Sequence, residues 1–342
     1  MNVTMIGFDI AKGVVQVHGV DGSGQVAVRK RLSRAGALAF FERLRPCVVG
    51  LEACGGAHYW ARELSRMGHE ARMIAPHYVK PYVKRSKTDA ADAAGICEAV
   101  GRPHMRFVPV KSVDEQALAQ AHKARSLLVA QRTALVNALR AHLTEFGIVA
   151  PVGPAGSARL IALLRSGEAP IPDLAVEALV DLCDMIEATT AKVGAFDARL
   201  KALARQDEAC QRLMKVPGVG PVAAGAIRAL AGDVTRFSNG RDFAAWLGLT
   251  PRQNSSGAKI RLGGITKAGN RDLRTLLVLG QMAVFRHASA HPDRTTPWAA
   301  ALIKRRPPLV AAVAMAAKTA RIIWAMLARG EAYRSRCAIR AG

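Results

Sequence analysis

The amino-terminal stretch constrains this chain most, because its apolar residues come first in short β-branched runs and then in runs divided by helical spacing. Val3–Asp9 (VTMIGFD) is apolar and ends on an acid. Val14–Val20 (VVQVHGV) and Gln25–Arg31 (QVAVRKR) follow, divided by the turn-forming Asp-Gly-Ser-Gly. Three antiparallel strands with tight connections are expected. A helix over roughly Ala37–Leu44 then leads to a buried strand at Cys47–Glu52, and a second near Tyr59–Met67 leads to a strand at Ala71–Ala75. Hairpin strands followed by strand–helix alternation specify a mixed α/β sheet with helices on its faces.

Beyond Thr88 the pattern turns helical. Thr88–Val100 is rich in alanine, with Gly95 the single potential breaker before Gly101-Arg102-Pro103. A short strand at Arg106–Val110 precedes a long helix from Asp114 to about Phe146, on which Leu118, Leu127, Leu128, Leu135, Leu139 and Leu143 recur largely at helical intervals. Asp114 and Glu115 read as its first turn. Val149–Ser157, dense in Pro and Gly, reads as a linker or turn, and residues 158–210 as an antiparallel helical arm. Near Lys215 a new domain is expected, because Pro217-Gly218-Val219-Gly220 has the form of a helix-hairpin-helix turn opening a helix. From there helices alternate with a basic loop, Pro251–Arg274. The expected division is 1–150, 151–210 and 211–342, an α/β domain followed by an arm and a mainly α-helical carboxy-terminal domain.

Charge narrows the partner. Against 26 Asp and Glu stand 49 Lys and Arg, a formal net charge of +23. Such an excess points to a polyanion, since surplus cations act most strongly by displacing counterions from phosphates. From Arg241 onward there are 18 Lys and Arg but only 4 Asp and Glu, so the carboxy-terminal third is expected to meet nucleic acid. Half the chain is hydrophobic, which excludes an intrinsically disordered tail or linker.

Six cysteines, Cys47, Cys54, Cys97, Cys183, Cys210 and Cys337, are scattered without CxxC pairs or a histidine at zinc spacing. They read as reduced, mostly structural thiols of a cytoplasmic protein. The amino terminus lacks the charged and apolar regions of a signal peptide. Leu309–Leu327 is apolar but carries Lys318 and Arg321 in its middle, so a buried or amphipathic helix is expected there and no membrane partner. Trp60, Trp246, Trp298 and Trp324 are too dispersed for a base-stacking platform and are expected in the core. His58, His77 and His104 lack ligand spacing.

Four carboxylates stand out. Asp9 closes the first expected strand and Glu52 the fourth, so the two converge if those strands are neighbours. Asp89 and Asp92 lie three apart on a helix and share one face. Like charges are gathered at a cost unless a cation sits between them, and phosphodiester chemistry uses paired divalent ions held by several hard oxygen ligands. Taken singly these acids read as a turn residue and a capped helix start, with Thr88 as N-cap. Taken together, in this order, they are the arrangement of an RNase H-like nuclease core.

The blocks GFDIAKG, GLEACGG and KRSKTDAADA resemble the three acidic blocks of the DEDD insertion-sequence transposases of the "one-ten" family, whose members include recombinases guided by a noncoding RNA. VPGVGPVAA, FAAWLGLTPRQNSSGAKIRLGGITKAGNRDLR and the last apolar helix resemble that family's transposase domain, in the same order over nearly the whole chain. The resemblance implies a Holliday-junction-resolvase-like amino-terminal domain holding Mg²⁺ or Mn²⁺ on Asp9, Glu52, Asp89 and Asp92. It implies a serine nucleophile at Ser256, with Ser255 adjacent, and an assembly running from dimer to tetramer in which serine and acids come from different subunits. Double-stranded DNA and a noncoding guide RNA are the implied partners. Arg252, Lys259, Arg261, Lys267, Arg271 and Arg274 surround the serine and are expected to hold phosphate.

Gly218 and Gly220 either offer N–H groups to a DNA phosphate or make a tight turn, and Lys304-Arg305-Arg306 either contacts phosphate or ends a helix in solvent. Two other readings of function remain open. One is a structure-specific junction nuclease using the acidic site alone, and the other is a non-catalytic nucleic-acid-binding protein working through its basic third.

Overall fold

The computed structural model describes residues 2–83, 88–257, 259–290 and 296–334; Lys84–Lys87 of the third acidic block, and Cys337, lie outside them. The chain divides into two compact units, Met1–Asp114 and Glu115–Gly342.

The first unit is the expected mixed α/β fold. Its elements are β1 (Met5–Ile10), β2 (Val14–Val20), β3 (Val26–Ser33), α1 (Arg34–Glu42), β4 (Val48–Glu52), α2 (Ala57–Arg66), β5 (Glu70–Ile74), α3 (Pro76–Val79), α4 (Asp89–Val100) and β6 (Phe107–Val108). The sheet order is β3-β2-β1-β4-β5-β6. β1, β4 and β5 run parallel, while β2 is antiparallel to both β1 and β3, as the tight connections require.

Alternation along the strands decides which residues face which layer. Ile6 and Phe8 of β1, with Val15 and Val17 of β2, point into a buried layer closed by α1 and α2. There Phe8 meets Phe41 and Trp60 edge-to-face at 5.2 and 5.1 Å, contacts worth roughly 0.5–1.5 kcal/mol each beyond area burial. The other face is nearly bare where Gly7 and Gly50 pair in register, and α4 lies there.

Several boundaries differ from expectation. β1 runs one residue past Asp9 because Ile10 pairs with Val15. α1 begins at Arg34 because Ser33 accepts a hydrogen bond from the Gly36 N–H and caps it. The strand expected at Arg106–Val110 shrinks to two paired residues, Phe107 and Val108.

The remainder is mostly helical. α5 (Val113–Thr144), α6 (Pro154–Arg165) and α7 (Asp173–Gln206) come first. α6 begins inside the stretch that reads as a linker, because Pro154 occupies the first helical turn, where a missing N–H does no harm. Leu139 and Leu143 of α5, Leu160 and Leu164 of α6, and Leu179 and Cys183 of α7 form one apolar seam. An Arg125–Asp197 ion pair ties α5 to α7.

α8 (Glu208–Met214), α9 (Pro221–Ala231), α10 (Gly240–Trp246), β7 (Pro251–Gln253), β8 (Leu262–Ile265), α11 (Arg271–Ala290), α12 (Pro297–Arg305) and α13 (Pro308–Arg329) complete the fold. α9 is almost wholly buried, at the centre of a core that includes Phe243, Leu277, Ala320 and Ile323. α13 is long and apolar enough by length and composition to cross a membrane. Its buried side, including Ala311, Ala316, Ala320 and Ile323, accounts for that apolarity within the core.

Trp60 and Trp324 are core residues as expected, and Trp246 is half-buried against Phe243. Trp298 is not: it is 39% exposed, because α12 buries only Ala299 and Leu302, and the Lys318 ammonium lies 4.0 Å from its ring. Among the described residues Cys47, Cys97, Cys183 and Cys210 are buried free thiols, whereas Cys54 is exposed in the turn after β4.

Candidate functional site

The acidic site begins with two glycines. A Cβ on Gly7 would lie 2.0 Å from the Ala93 carbonyl oxygen, and one on Gly50 would lie 2.8 Å from Cβ of Val100. Only bare backbone at both positions lets α4 rest directly on β1 and β4. Asp9 and Glu52 lie two residues beyond Gly7 and Gly50, so they project to the same face. Since Phe8 pairs with Leu51 in parallel register, the two acids stand at the same level where adjacent strands run out, Glu52 at the end of β4 and Asp9 one residue before the end of β1. The first turn of α4 brings Asp89 and Asp92 over them. Thr88 does cap this helix, its hydroxyl accepting from the Ala91 N–H at 3.2 Å, and the positive end of α4 suits acids in that turn.

Asp9 records the convergence. Its half-buried carboxyl is pushed up to about 6, first by burial and then by the charges of Asp92, Asp89 and Glu52. Burial and the charges of Glu52 and Asp9 also raise the Cys54 thiol. Among the described residues no three His, Cys, Asp or Glu side chains form a ready-made metal cage. The donor set nonetheless fits a hard divalent cation in kind and in charge: all four groups are carboxylates, and their mutual repulsion is what a cation would relieve. Sequence reasoning missed Gly7 and Gly50, although Gly-x-acid in both strands (GFD, GLE) was the available signal.

The serine lies in the second unit, on a hairpin. β7 and β8 pair antiparallel, Pro251 with Ile265 and Gln253 with Leu262, and residues 251–257 are all exposed. The neighbouring serines differ in use. Ser255 Oγ accepts from the Arg261 N–H at 3.2 Å, fixing the loop. Ser256 meets Lys259 through its backbone, its carbonyl accepting from the Lys259 N–H at 3.2 Å, and among the described residues its hydroxyl makes no hydrogen bond. The base of the hairpin is held by close backbone approach: a Cβ on Gly269 would lie 1.7 Å from the Trp246 carbonyl oxygen. Lys267 adopts a left-handed φ of 56°, a local strain of about 1 kcal/mol or more, while its N–H donates to Gly248 at 3.1 Å.

Of the expected cations, Arg252, Lys259, Arg261, Lys267 and Arg271 are exposed around this hairpin. Arg274 is half-buried and clamps the hairpin's base, its Nη1 donating to the Leu247 and Ala268 carbonyls at 2.9 Å each. Burial and the nearby Arg271 lower its pKa. Gly218, with φ 83°, is explained by packing, since a Cβ there would lie 3.0 Å from the backbone of Gly280 and 2.4 Å from Gln281 Nε2. Gln281 Nε2 donates to the Pro217 carbonyl at 2.8 Å and closes that turn. Gly220 faces open space before Pro221 of α9. Lys304, Arg305 and Arg306 are exposed at the end of α12.

Known proteins share both halves of this layout. Residues 6–148 match a DEDD family model described as a transposase of the IS110 type, and residues 210–296 match the "Transposase IS116/IS110/IS902 family". A "probable family 20 transposase" of Pseudomonas aeruginosa is 49% identical over 336 residues, covering 98% of this chain and 99% of that protein. The "transposase for insertion sequence element IS1111A" of Coxiella burnetii is 40% identical, covering 97% of this chain and 92% of its own length. The IS1328 transposase of Yersinia enterocolitica is 36% identical, covering 97% and 99%. Similarity of this extent over both units places the chain in the IS110 family of DEDD transposases, enzymes that act on DNA.

Proposed function

We propose that this transposase excises and inserts a mobile element through a composite site in which Ser256 is the nucleophile and the four carboxylates hold the assisting metal ions. The observation that carries the reading is the gathering of Glu52, Asp89 and Asp92 around Asp9, whose pKa is raised to about 6 first by burial and then by their charges. Like charges gathered this closely are relieved by a cation among them, and a strand order of β3-β2-β1-β4-β5 with β2 reversed is consistent with an RNase H-like domain. In this reading residues 1–150 form the acidic catalytic domain, 151–210 an assembly arm and 211–342 the domain presenting the serine.

Asp9, Glu52, Asp89 and Asp92 would hold Mg²⁺ or Mn²⁺, which supplies Lewis-acid stabilisation of charge on the phosphate oxygens. Ser256 Oγ attacks the scissile phosphorus and gives up its proton; the Oγ–P bond forms as the P–O bond to one sugar breaks, and the departing oxygen takes up a proton in exchange and leaves as a hydroxyl. Arg252, Lys259 and Arg261 stabilise the phosphate as charge builds, and Lys267 and Arg271 hold the flanking backbone. The phosphoserine link conserves the bond energy needed for rejoining. A noncoding guide RNA selects the sites, and a dimer assembling to a tetramer brings acids and serine of different subunits together. The cytoplasm is the compartment proposed for this activity.

Trapping the covalent protein–DNA adduct with Mg²⁺, guide RNA and element-end DNA tests the nucleophile. Ser256→Ala is expected to lose the adduct, and Ser255→Ala to keep it at reduced yield because only loop fixation is disturbed. An adduct that survives Ser256→Ala contradicts the assignment and favours a junction nuclease working through the acids alone.

A further inference from the structure

The sheet face that carries Asp9 continues past the acids onto β2 and β3. Pairing places Gly7, His18 and Arg29 in one row across β1, β2 and β3, and Asp9, Gln16 and Arg31 in the next. Paired residues project to the same side of a sheet, as do residues two apart along a strand, so both rows lie on the α4 side. α4 packs on β1, β2 and β4 and stops short of β3. Gln16 and His18 are left half-buried, and Arg29 and Arg31 exposed. Between this floor and Ala90, Ala91 and Ala94 of α4 lies an open trough of about 400 Å³. Lys30, set between the arginines, turns to the opposite face, where its Nζ lies 5.6 Å from the Phe40 ring.

The chemistry of the trough is that of a phosphodiester track. Two guanidinium groups on one side offer forked donors that match phosphate oxygens. Alanine methyls on the other side leave room for a sugar–phosphate backbone without bulk or charge. Burial and the neighbouring Arg29 lower the His18 pKa, which leaves a neutral ring beside Gln16 on the floor. Adjacent strands lie about 4.8 Å apart, so Arg31 stands roughly 10 Å across the sheet from Asp9, within reach of a neighbouring phosphate of one strand.

We propose that this trough holds the backbone of the DNA strand entering the acidic site, with Arg29 and Arg31 on phosphates beside the one that lies at Asp9. That the held strand is the one being cut rests on the acids being catalytic; the binding itself does not. The test is the salt dependence of binding of a fluorescein-labelled single-stranded DNA oligonucleotide to the full chain, followed by anisotropy without divalent cation. In Arg29→Gln/Arg31→Gln the slope of log affinity against log salt is expected to fall by about 1.4, two phosphate contacts at about 0.7 each. Arg29→Lys/Arg31→Lys is expected to keep most of the slope, and Lys30→Gln all of it. An unchanged slope in the Gln double variant, or an equal loss in Lys30→Gln, overturns the proposal. So does a loss confined to an RNA oligonucleotide of the same sequence. Since no cutting occurs in this assay, failure of the catalytic reading leaves the slope change standing, and a failed trough leaves that reading untouched.

Discussion

His122 shows how a single side chain couples the fold to pH. It is only 4% exposed on α5, and its Nε2 has no hydrogen-bond partner within the described residues, close to Gly225 of α9. Burial, helped by the charge of Arg125, lowers its pKa from 6.5 to about 4. The native state therefore binds fewer protons than the unfolded chain between those values. Stability from the neutral ring is complete above about pH 6.5 and is lost as pH falls through 4, by at most about 3 kcal/mol. His122→Leu keeps the bulk and removes the proton site. Urea unfolding at pH 7 and pH 4 is expected to show the variant gaining on the parent by up to about that amount as pH falls; a constant difference would contradict the assignment. Ser255 and Ser256 make the same point for chemistry: two adjacent hydroxyls of equal reactivity are told apart only by the Arg261 N–H that one of them accepts.

Among the elements, α4 and the β7–β8 hairpin carry the proposed site, and they were unequally visible in the sequence. Strand alternation and helical spacing made the sheet and α4 readable, because both periods follow from which face is buried. What placed α4 was not readable as such, since a glycine inside a strand ordinarily weakens it, and only the fold shows Gly7 and Gly50 as the floor of the helix. Gly7→Val is expected to lift α4 from β1, costing about 1–3 kcal/mol or more by overpacking. Thermal melting should fall and DNA cutting should be lost together, because Asp89 and Asp92 move with the helix; retained cutting would show that α4 does not set the site. The hairpin was hidden for a different reason. Its residues are exposed, Gly-rich and short of apolar alternation, so the sequence reads as loop. Arg274 was equally misleading, since an arginine in a basic stretch reads as surface, whereas this one clamps the hairpin base through Leu247 and Ala268. Arg274→Met keeps the stem and removes the donor from the part-buried Leu247 carbonyl and the exposed Ala268 carbonyl, at about 1 kcal/mol. Limited proteolysis between Arg252 and Lys267 is expected to quicken several-fold; an unchanged rate would show that the clamp is dispensable.

For the whole molecule, the four carboxylates belong to one compact unit and the serine hairpin to the other. Charge follows the same division: the acids converge in the first unit, while 18 of the 49 Lys and Arg lie from Arg241 onward. The amino-terminal pattern and the charge bias made this division legible, because acids at strand ends and a basic tail survive in a one-dimensional reading. Which unit of one chain serves which unit of another did not survive in it, since nothing in a single chain's periodicity records a partner. The central claim, that acids and serine of different subunits complete one site, is tested most directly by complementation. Asp9→Asn and Ser256→Ala proteins are each assayed alone for covalent adduct formation with Mg²⁺, guide RNA and element-end DNA, then mixed and assayed again. Each alone is expected to be inactive, and the mixture is expected to recover adduct on Ser256 of the Asp9→Asn chain, because mixed assemblies contain sites with one intact serine and one intact set of acids. A mixture as inactive as its components would contradict a site shared between subunits.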